Sequence, residues 1–433
     1  MSGVWIYTFA LACLLFPATS CSRKLKSGTA KIDAQGADKD PPSSARADEW
    51  LGHLGSHRNG HSGDVNLRQD WLEKEPELLW RTELGKGVAG VAVADGRVLG
   101  IGNTGSTDTV YCLHAANGAE MWSTSYHCPL GKRMFEGGPA ATPTIDAAAR
   151  RVYVLSHEGE LRCLSMADGV ELWMRHYVKD LGGRMPEYGF AAAPFLGDGV
   201  LIVQPGGERG SVVALDPETG ERRWSAGSDA SSYSAPIGFE HGGRKMVAVF
   251  NSYGLAMYSL IRGQELGRVR WQTRYNINAA TPCYFAGHIF IISGYGKGGA
   301  LIALHGEGGE LVYETRDVVC QFQSPVRAGE FLYMVSGDNS TRARLCCVRF
   351  DNGDVKWSEP MGGNRGNVIL SGDKLIAVSE KGEALLCDAT PAGFIDRGRF
   401  QALGGRCWAP PAIAEGKLYV RNNAGRLACI NLR

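Results

Sequence analysis

Apolar and polar residues alternate along most of this chain, in short runs that turn residues separate. Residues 151–155 (RVYVL) and 160–164 (ELRCL) are typical of these runs, and the pair Glu158-Gly159 lies between them. Alternation with a period of two residues predicts half-buried β-strands, and a glycine-containing pair between two such runs predicts a hairpin turn. The same arrangement recurs from about residue 77 to the end of the sequence, so the chain is predicted to be all-β.

The strand pattern is itself repeated. Residues 214–224 (ALDPETGERRW) contain a small residue, an aspartate, a Thr-Gly pair and, four positions after the glycine, a tryptophan. Similar phrases place glycines at positions 118, 169, 220, 263, 309, 353 and 393, which are 40 to 51 residues apart. A period of this length, with several strands in each unit, is typical of a β-propeller. An eighth copy begins at Cys429, and residues 78–84 (LLWRTEL) supply the strand that it lacks.

We therefore predict an eight-bladed β-propeller of four-stranded antiparallel blades, in which the N-terminal strand closes the last blade. This closure removes two exposed sheet edges. The repeated aromatic residue is expected to dock each blade against the next one. The predicted docking residues are Trp80, Trp122, Trp173, Trp224, Trp271, Tyr313 and Trp357, although Trp271 comes four positions late in its repeat.

Composition and charge agree with a soluble β domain and exclude some partners. The 433 residues include 58 glycines, as many tight turns require, and the net charge is +1. Lysine and arginine are scattered, which argues against a nucleic-acid surface and against an electrostatic membrane patch. We expect a monomer whose only membrane contact is an N-terminal lipid anchor.

The first 76 residues differ from the rest. Residues 1–21 are predicted to be a signal peptide, because an apolar run is followed by small residues and Cys21. This arrangement resembles the lipobox of bacterial lipoproteins, in which the cysteine is acylated. A plain secretory signal and an uncleaved anchor are the alternatives. Residues 22–48 are predicted to be a flexible tether, 49–76 a lead-in loop and 77–433 the propeller. The expected location is the bacterial periplasm, at the outer membrane.

No metal site is predicted from the sequence. His53, His57 and His61 are spaced by four residues, but glycines interrupt the stretch and no helix aligns the rings. The adjacent Cys346 and Cys347 could form a vicinal disulfide. However, Cys347 occupies a core position of the repeat, and its neighbour should face the other side of the strand.

Polar residues precede each predicted innermost strand, whose start is marked by a residue-proline pair such as Thr142-Pro143. These residues should meet at one mouth of the central channel, where they could bind a small polar ligand or a peptide edge. The alternative is that the asparagine and glutamine residues cap hydrogen bonds between blades while the charged residues are only solvated; for Arg406 the alternative is an ion pair with Glu136. The candidate residues are Arg133, Glu136, Tyr188, Tyr233, Asn278, Gln321, Arg365, Arg406 and Trp408. None of them forms a pair of nucleophile and base, so no catalytic residue is predicted.

The repeat resembles that of pyrroloquinoline quinone (PQQ) enzymes, most specifically in residues 212–224. Two families share it: the quinoprotein alcohol dehydrogenases and the non-catalytic outer-membrane assembly lipoproteins of the BamB type. The resemblance to the second group implies an exported scaffold or binding module for a protein or a small polar ligand, without a cofactor. The first group implies the alternative of an alcohol or sugar dehydrogenase that uses PQQ and calcium. A carbohydrate- or peptide-binding propeller is a second alternative.

Overall fold

The computed structural model describes residues 46, 48–131, 135–306 and 308–433. Within these residues the regular structure consists of 33 β-strands in eight sheets, and no helix is present. It follows that the described part of the chain contains no helix capable of crossing a membrane. The predicted signal peptide and almost all of the predicted tether lie outside the described residues.

Seven of the eight blades each contain four consecutive strands, and the sheet of blade 7 also includes the short strand β1 (His61–Ser62). Strand β1 and strand β2 (Leu78–Glu83) come before these blades in the chain. Blade 1 contains β3 (Ala92–Ala94), β4 (Arg97–Thr104), β5 (Thr107–His114) and β6 (Glu120–His127). Blade 2 contains β7 (Thr144–Asp146), β8 (Arg151–Leu155), β9 (Glu160–Ser165) and β10 (Glu171–His176). Blade 3 contains β11 (Phe195–Gly197), β12 (Val200–Val203), β13 (Val212–Leu215) and β14 (Arg222–Ala226). Blade 4 contains β15 (Ile237–His241), β16 (Arg244–Phe250), β17 (Gly254–Ser259) and β18 (Glu265–Arg270).

The remaining blades follow the same order. Blade 5 contains β19 (Cys283–Phe285), β20 (His288–Ser293), β21 (Gly298–His305) and β22 (Gly308–Thr315). Blade 6 contains β23 (Val326–Ala328), β24 (Phe331–Ser336), β25 (Arg344–Arg349) and β26 (Val355–Pro360). Blade 7 contains β27 (Gly366–Ser371), β28 (Lys374–Ser379), β29 (Glu383–Asp388) and β30 (Asp396–Gln401). Blade 8 contains β31 (Ala412–Ala414), β32 (Lys417–Arg421) and β33 (Arg426–Asn431).

The ring is closed by the strand from the beginning of the chain. Strand β2 pairs antiparallel with β33, with Trp80 opposite Cys429, and becomes the outer strand of blade 8. The predicted eight-bladed propeller and its closure are therefore confirmed.

Turn chemistry explains the short inner hairpins. In blade 1, Asp95 and Gly96 have φ angles of 54° and 68°, and in blade 3, Asp198 and Gly199 have 49° and 72°. Two successive positive φ angles define the type I′ turn, whose twist matches that of the flanking strands. Aspartate and glycine tolerate these angles, so the two-residue turns hold the first two strands of blades 1 and 3 in register.

Docking aromatic residues join neighbouring blades through hydrogen bonds to main-chain carbonyls of the next blade. Trp173 of blade 2 donates from Nε1 to Pro217 O of blade 3 at 3.2 Å. Its ring packs on Gly220, where an added Cβ would lie 2.7 Å from Trp173 Cε3. The same type of bond joins Trp80 to Ala115, Trp122 to Met166, Trp224 to Leu260, Tyr313 to Phe350 and Trp357 to Thr390.

Trp271 does not make this contact. It lies beyond the end of β18, and its Nε1 donates to Ser293 Oγ at 3.1 Å. The register of β18 places Gly267 at the docking position, opposite Met257. There blades 4 and 5 approach directly, since a Cβ on Gly267 would lie 2.8 Å from the Cα of Gly308. Trp271 therefore still joins blades 4 and 5, since it is buried in their shared core and its hydrogen bond reaches β20 of blade 5. Four extra residues carry it away from the docking position that the other aromatic residues occupy.

At the interface between blades 7 and 8, the docking tryptophan comes from the segment before the propeller. The docking position of β30 is Gly398, where an added Cβ would lie 2.5 Å from the Cβ of Trp71. Trp71 is buried and packs edge-on against Phe400 with a centroid separation of 5.3 Å. The lead-in thus replaces a residue that the seventh repeat does not contain.

Residues 49–64 enter the central channel, and we call them the plug. Trp50 and Val93 exchange main-chain hydrogen bonds of 2.8 and 2.7 Å with each other, and β1 pairs parallel with β27. The Arg58 guanidinium donates to Ala193 O at 3.1 Å and also to Pro194 O. The predicted lead-in loop is therefore an internal element of the propeller that ties the inner strands of different blades together.

None of the ten cysteines of the described residues belongs to a disulfide, and nine of them are buried. Cys346 packs in the core shared by blades 5 and 6, while Cys347 packs in the core shared by blades 6 and 7. The two side chains face opposite sides of β25, as the strand period predicts.

Candidate functional site: an aromatic funnel at the channel mouth

The loops that run from the outer strand of one blade to the innermost strand of the next meet at one end of the axis. They enclose a cavity of about 260 Å³, which we call the funnel. Five predicted residues line it: Glu136, Tyr188, Tyr233, Gln321 and Trp408. The structure therefore brings together side chains that come from loops up to 272 residues apart in sequence.

Aromatic rings make up much of the funnel wall. Phe135 packs edge-on against Trp408 with a centroid separation of 4.9 Å, and Phe322 packs on the same ring at 5.5 Å. Tyr188 and Tyr233 lie 6.0 Å apart on another side. Phe135 is 69% exposed, which is unusual for a phenylalanine in a folded protein. The funnel thus presents unpaired apolar surface to solvent.

Phe135, Phe322 and Tyr295 were not among the predicted residues. Phe135 and Phe322 are direct neighbours of predicted positions, and an extended backbone is expected to turn neighbours to the opposite side. The irregular loops here do not keep that alternation. Tyr295 lies in a glycine-rich hairpin turn at φ 57°, and its hydroxyl accepts a 2.8 Å hydrogen bond from Gln321 Nε2. The position of an aromatic residue between two glycines in such a turn is a sequence signal from which Tyr295 could have been predicted as a funnel residue.

The charged residues of the funnel are paired with one another. Arg406 forms an ion pair with Glu136, which also accepts a 3.0 Å hydrogen bond from Asn423 Nδ2. Arg406 also lies over Trp408, 4.9 Å from the ring centroid. This ion pair connects the loop before blade 8 to the loop before blade 2. It is the interaction that we gave above as the alternative to ligand binding by Arg406.

Arg365 lies behind the wall and supports it. Its Nε donates to Gln321 Oε1 at 3.1 Å, and its Nη1 lies 3.6 Å from Glu380 Oε1. The guanidinium also lies 4.8 Å from the centroid of Trp408, whose Nε1 donates to Glu380 at 2.7 Å. Burial lowers the pKa of Arg365, and the adjacent Glu380 opposes that change. Arg365 therefore fixes Gln321 and Trp408 and does not itself line the funnel.

Asn278 is a structural cap. It is fully buried, its Nδ2 donates to Asn251 O at 2.8 Å, and its Oδ1 accepts from Ser293 Oγ at 2.7 Å. All its hydrogen-bonding capacity is used inside blades 4 and 5, so its prediction as a ligand-binding residue is wrong. Arg133 lies outside the described residues.

The plug forms the floor of the funnel. His53 and Leu54 line the cavity, and His53 Nε2 lies 2.9 Å from Thr281 Oγ1. Burial, and to a lesser degree the nearby Arg58, lowers the pKa of His53 to about 3. The imidazole is therefore neutral at pH 7, and the two plug residues that line the funnel, His53 and Leu54, carry no charge.

The family is shown by comparison with known proteins. The sequence matches the family described as outer membrane protein assembly factor BamB over residues 72–237, 135–359 and 255–433. BamB of Shewanella oneidensis is 23% identical over 381 residues, which cover 82% of this chain and 89% of the relative.

Solved structures share the fold at lower identity. The crystal structure of BamB from Moraxella catarrhalis has a TM-score of 0.59 at 12% identity, covering 82% of this chain and 98% of its own. The quinohemoprotein alcohol dehydrogenase of Comamonas testosteroni has a TM-score of 0.62 at 13% identity, covering 89% and 81%. The family match extends over the whole propeller, and this chain therefore belongs to the BamB family.

Proposed function

We propose that this chain is an exported, non-catalytic scaffold of the BamB type that binds a segment of a partner protein in the funnel. The observation that carries the proposal is the funnel wall, in which exposed aromatic rings surround the uncharged plug residues His53 and Leu54. Aromatic residues in a concave site are typical anchors of protein interfaces, because they bury large areas at low conformational cost. The names of the relatives, which are assembly factors for outer-membrane proteins, support the same role.

The chemistry of the funnel indicates which segment it would accept. Glu136 and Arg406 neutralise each other at the rim, so a strongly charged peptide gains no unpaired partner. Apolar or aromatic side chains would pack against Phe135 and Tyr188, while the amide of Gln321 offers polar contacts. Strands of outer-membrane barrels alternate apolar and polar residues over about ten positions and carry aromatic girdles, which fits this surface. We propose such a strand, before its insertion, as the ligand class.

The residues of the funnel do not fit PQQ with calcium. Calcium requires six to eight oxygen ligands. The two nearby carboxylates, Glu136 and Glu380, are held by Arg406, Arg365 and Trp408. The adjacent Cys346 and Cys347 point into two separate cores. We derive no oxidation step from this site, and the dehydrogenase remains the alternative that a turnover assay must test.

The proposed location follows from the predicted lipobox together with the relatives. BamB is named as an outer-membrane protein assembly factor, which supports export of this chain to the periplasm. Anchoring through Cys21 to the outer membrane is the finer proposal.

Photo-crosslinking in the native cell tests the binding role directly. A photoreactive phenylalanine analogue at Tyr188 should crosslink to outer-membrane proteins on their way to the membrane. The control position is Val170, which is 57% exposed and lies in a turn at the opposite end of the propeller. Crosslinks from Val170 equal to those from Tyr188, or no crosslink from Tyr188, would contradict funnel binding.

Purified protein separates the remaining ligand classes. A ten-residue peptide with alternating aromatic residues should change the fluorescence of Trp408, and the double variant Phe135→Ala/Tyr188→Ala should weaken its binding at least tenfold. Binding of neutral oligosaccharides but not of the peptide would favour the carbohydrate-binding alternative. Dye-linked alcohol oxidation that depends on both added PQQ and calcium would overturn the non-catalytic role.

A further inference from the structure

Three potential metal ligands meet at the interface between blades 1 and 2, outside the funnel. Asp108 lies in β5, Cys128 directly follows β6, and His157 follows β8. All three are buried, and the ligand atoms of the carboxylate, thiol and imidazole lie within 4.8 Å of one another. None of the three side chains lines the funnel.

The distances are close to those of a tetrahedral zinc centre. Zinc binds sulfur at about 2.3 Å and nitrogen or oxygen at about 2.0–2.2 Å, so neighbouring ligand atoms lie roughly 3.5 Å apart. Cys128 Sγ and His157 Nδ1 are separated by 3.4 Å. A carboxylate oxygen within 4.8 Å of both needs a movement of about 1 Å to complete the third position.

Unsatisfied polar atoms at this place point to a missing partner. Asp108 Oδ2, Asn103 Oδ1 and the Tyr126 hydroxyl are all buried without a hydrogen bond. Tyr126 lies directly opposite Asp108 in the β5–β6 pair, so at least two of these atoms belong to the same small region. A buried carboxylate oxygen without a donor is costly, and such groups in proteins usually have a partner such as an ion.

The surroundings hold the carboxylate in place. Asn103 Nδ2 donates to Asp108 Oδ1 at 2.6 Å and to Cys128 O at 2.8 Å. This amide fixes one carboxylate oxygen and the main chain of the cysteine, and leaves Oδ2 free to ligate. Supporting hydrogen bonds of this kind are typical of metal centres, where they orient the ligands.

We propose that Asp108, Cys128 and His157 form a zinc site that joins blade 1 to blade 2. The combination of a thiolate, an imidazole and a carboxylate favours zinc over calcium and magnesium, which take oxygen ligands. Three protein ligands leave the fourth position to a water molecule. The site is independent of the proposed binding function, and it differs from the sequence-based prediction that the chain has no metal site.

The competing arrangement is a neutral hydrogen-bonded cluster. Burial raises the pKa of Asp108 and also that of Cys128, so the thiol keeps its proton without a cation. The thiol is then hydrogen-bonded to the Asp108 side chain and lies 3.4 Å from His157 Nδ1. In that arrangement the protein does not retain zinc, and the isosteric change Asp108→Asn leaves its stability unchanged or higher.

Metal analysis of the full chain distinguishes the two arrangements. The purified protein is loaded with one equivalent of Zn²⁺, desalted and analysed for bound metal, and its melting temperature is compared with that of the chelator-treated protein. The zinc site predicts about one zinc per chain and a melting temperature that falls by several degrees on chelation. Less than a tenth of an equivalent of retained zinc would overturn the proposal, whatever the variants do.

Variants then locate the ion. Cys128→Ala and Asp108→Asn should lose the bound zinc, whereas Cys112→Ala should keep it, because Cys112 is a buried thiol of the same blade outside the cluster. Substitution with Co²⁺ should give a thiolate charge-transfer absorption that Cys128→Ala abolishes and Cys112→Ala retains. Zinc or cobalt binding that survives unchanged in Cys128→Ala would place the metal elsewhere and refute the site.

Discussion

At the scale of single residues, the plug contains the buried Arg58 and the half-buried His53. The Arg58 guanidinium donates to uncharged acceptors: the carbonyls of Ala193, Pro194 and Pro236 and the hydroxyl of Thr144. Burial lowers the pKa of Arg58 to about 9. Since arginine keeps its proton at neutral pH, its charge remains in the channel and opposes protonation of His53 nearby.

His53 should therefore make the protein sensitive to acid. Its pKa is about 3 in the folded protein against an ordinary value of 6.5, so the unfolded chain binds more protons between these values. The stabilisation is complete above pH 6.5 and is lost as the pH falls towards 3. Between pH 7 and 5 we expect the free energy of unfolding of the wild type to fall by about 1 kcal/mol more than that of His53→Gln. The full pKa shift would give about 2 kcal/mol, and water in the funnel reduces this value.

Urea unfolding at the two pH values measures this difference. His305→Gln is the matched control, because the His305 side chain is 68% exposed and should behave like the wild type. Equal pH dependence of the wild type and His53→Gln would show that His53 is not held neutral by the plug.

Single residues also show which parts of the site could be predicted from the sequence and which could not. Glu136, Tyr188 and Trp408 could be placed at the funnel because each lies in a loop that precedes an innermost strand. Asn278 lies in a corresponding loop but faces inward, because membership of such a loop does not determine the direction of a side chain. The side chains of Asp108 and His157 meet because blades 1 and 2 pack against each other. No local spacing in the sequence predicts such a long-range contact.

At the scale of elements, the docking aromatic residues and the glycines beneath them determine how tightly blades pack. Gly220 has φ 68°, and a side chain there would be both strained and pressed against Trp173. Gly199 has a similar φ of 72°, but an added Cβ meets no atom within 4 Å. A comparison of the two glycines of blade 3 therefore separates the cost of backbone strain from the cost of the contact between blades.

Gly199→Ala should cost about 1 kcal/mol of unfolding free energy, which is the backbone strain alone. Gly220→Ala should cost about 2–4 kcal/mol, because overpacking against Trp173 adds to that strain. Denaturant unfolding of both variants measures the difference. If the two variants are equally stable, the tryptophan–glycine contact contributes nothing specific to the interface.

The elements were largely predictable, and the exceptions have physical causes. The strand period and the regular glycine–tryptophan spacing predicted eight blades, because each blade repeats the same order of strands, turns and docking residue. Trp271 packs between blades 4 and 5 away from the usual docking position, because its repeat is longer and a glycine–glycine contact at Gly267 replaces the ring there. The role of Trp71 was missed because it precedes the first repeat and fills an interface between the last two blades. Non-periodic contacts of this kind leave no pattern in the sequence.

At the scale of the whole molecule, the predicted anchor makes a localisation prediction. If Cys21 is acylated, Cys21→Ser should move the protein from the outer-membrane fraction to the soluble periplasm. A single acyl chain binds membranes only marginally, so several chains on the cysteine are expected to be needed for stable anchoring. Cell fractionation measures this, with Cys13→Ser as the control within the same predicted signal. An unchanged distribution of Cys21→Ser would exclude lipid anchoring at this residue.

The strand that closes the ring and the plug both precede the first complete blade. Truncation from the N-terminus therefore separates their contributions to the melting temperature. A chain that starts at residue 46 keeps both and should melt at the wild-type temperature. A chain that starts at residue 65 loses Trp50 and Arg58 together with the β1–β27 pairing, so the inner strands lose their common partner.

A chain that starts at residue 85 also loses β2 and Trp71, which docks blade 7 against blade 8. The edge of β33 then becomes exposed, and Trp80 no longer packs between blades 8 and 1. Loss of one buried tryptophan alone costs about 3–5 kcal/mol, a large part of the net stability of a domain. We therefore expect the melting temperature to fall in two steps, from residue 46 to 65 and from 65 to 85, with aggregation in the second step because the free strand edge can pair with other chains. Calorimetry and light scattering of the three chains measure both effects. Equal melting temperatures for the chains that start at residues 46 and 85 would contradict closure of the ring by β2.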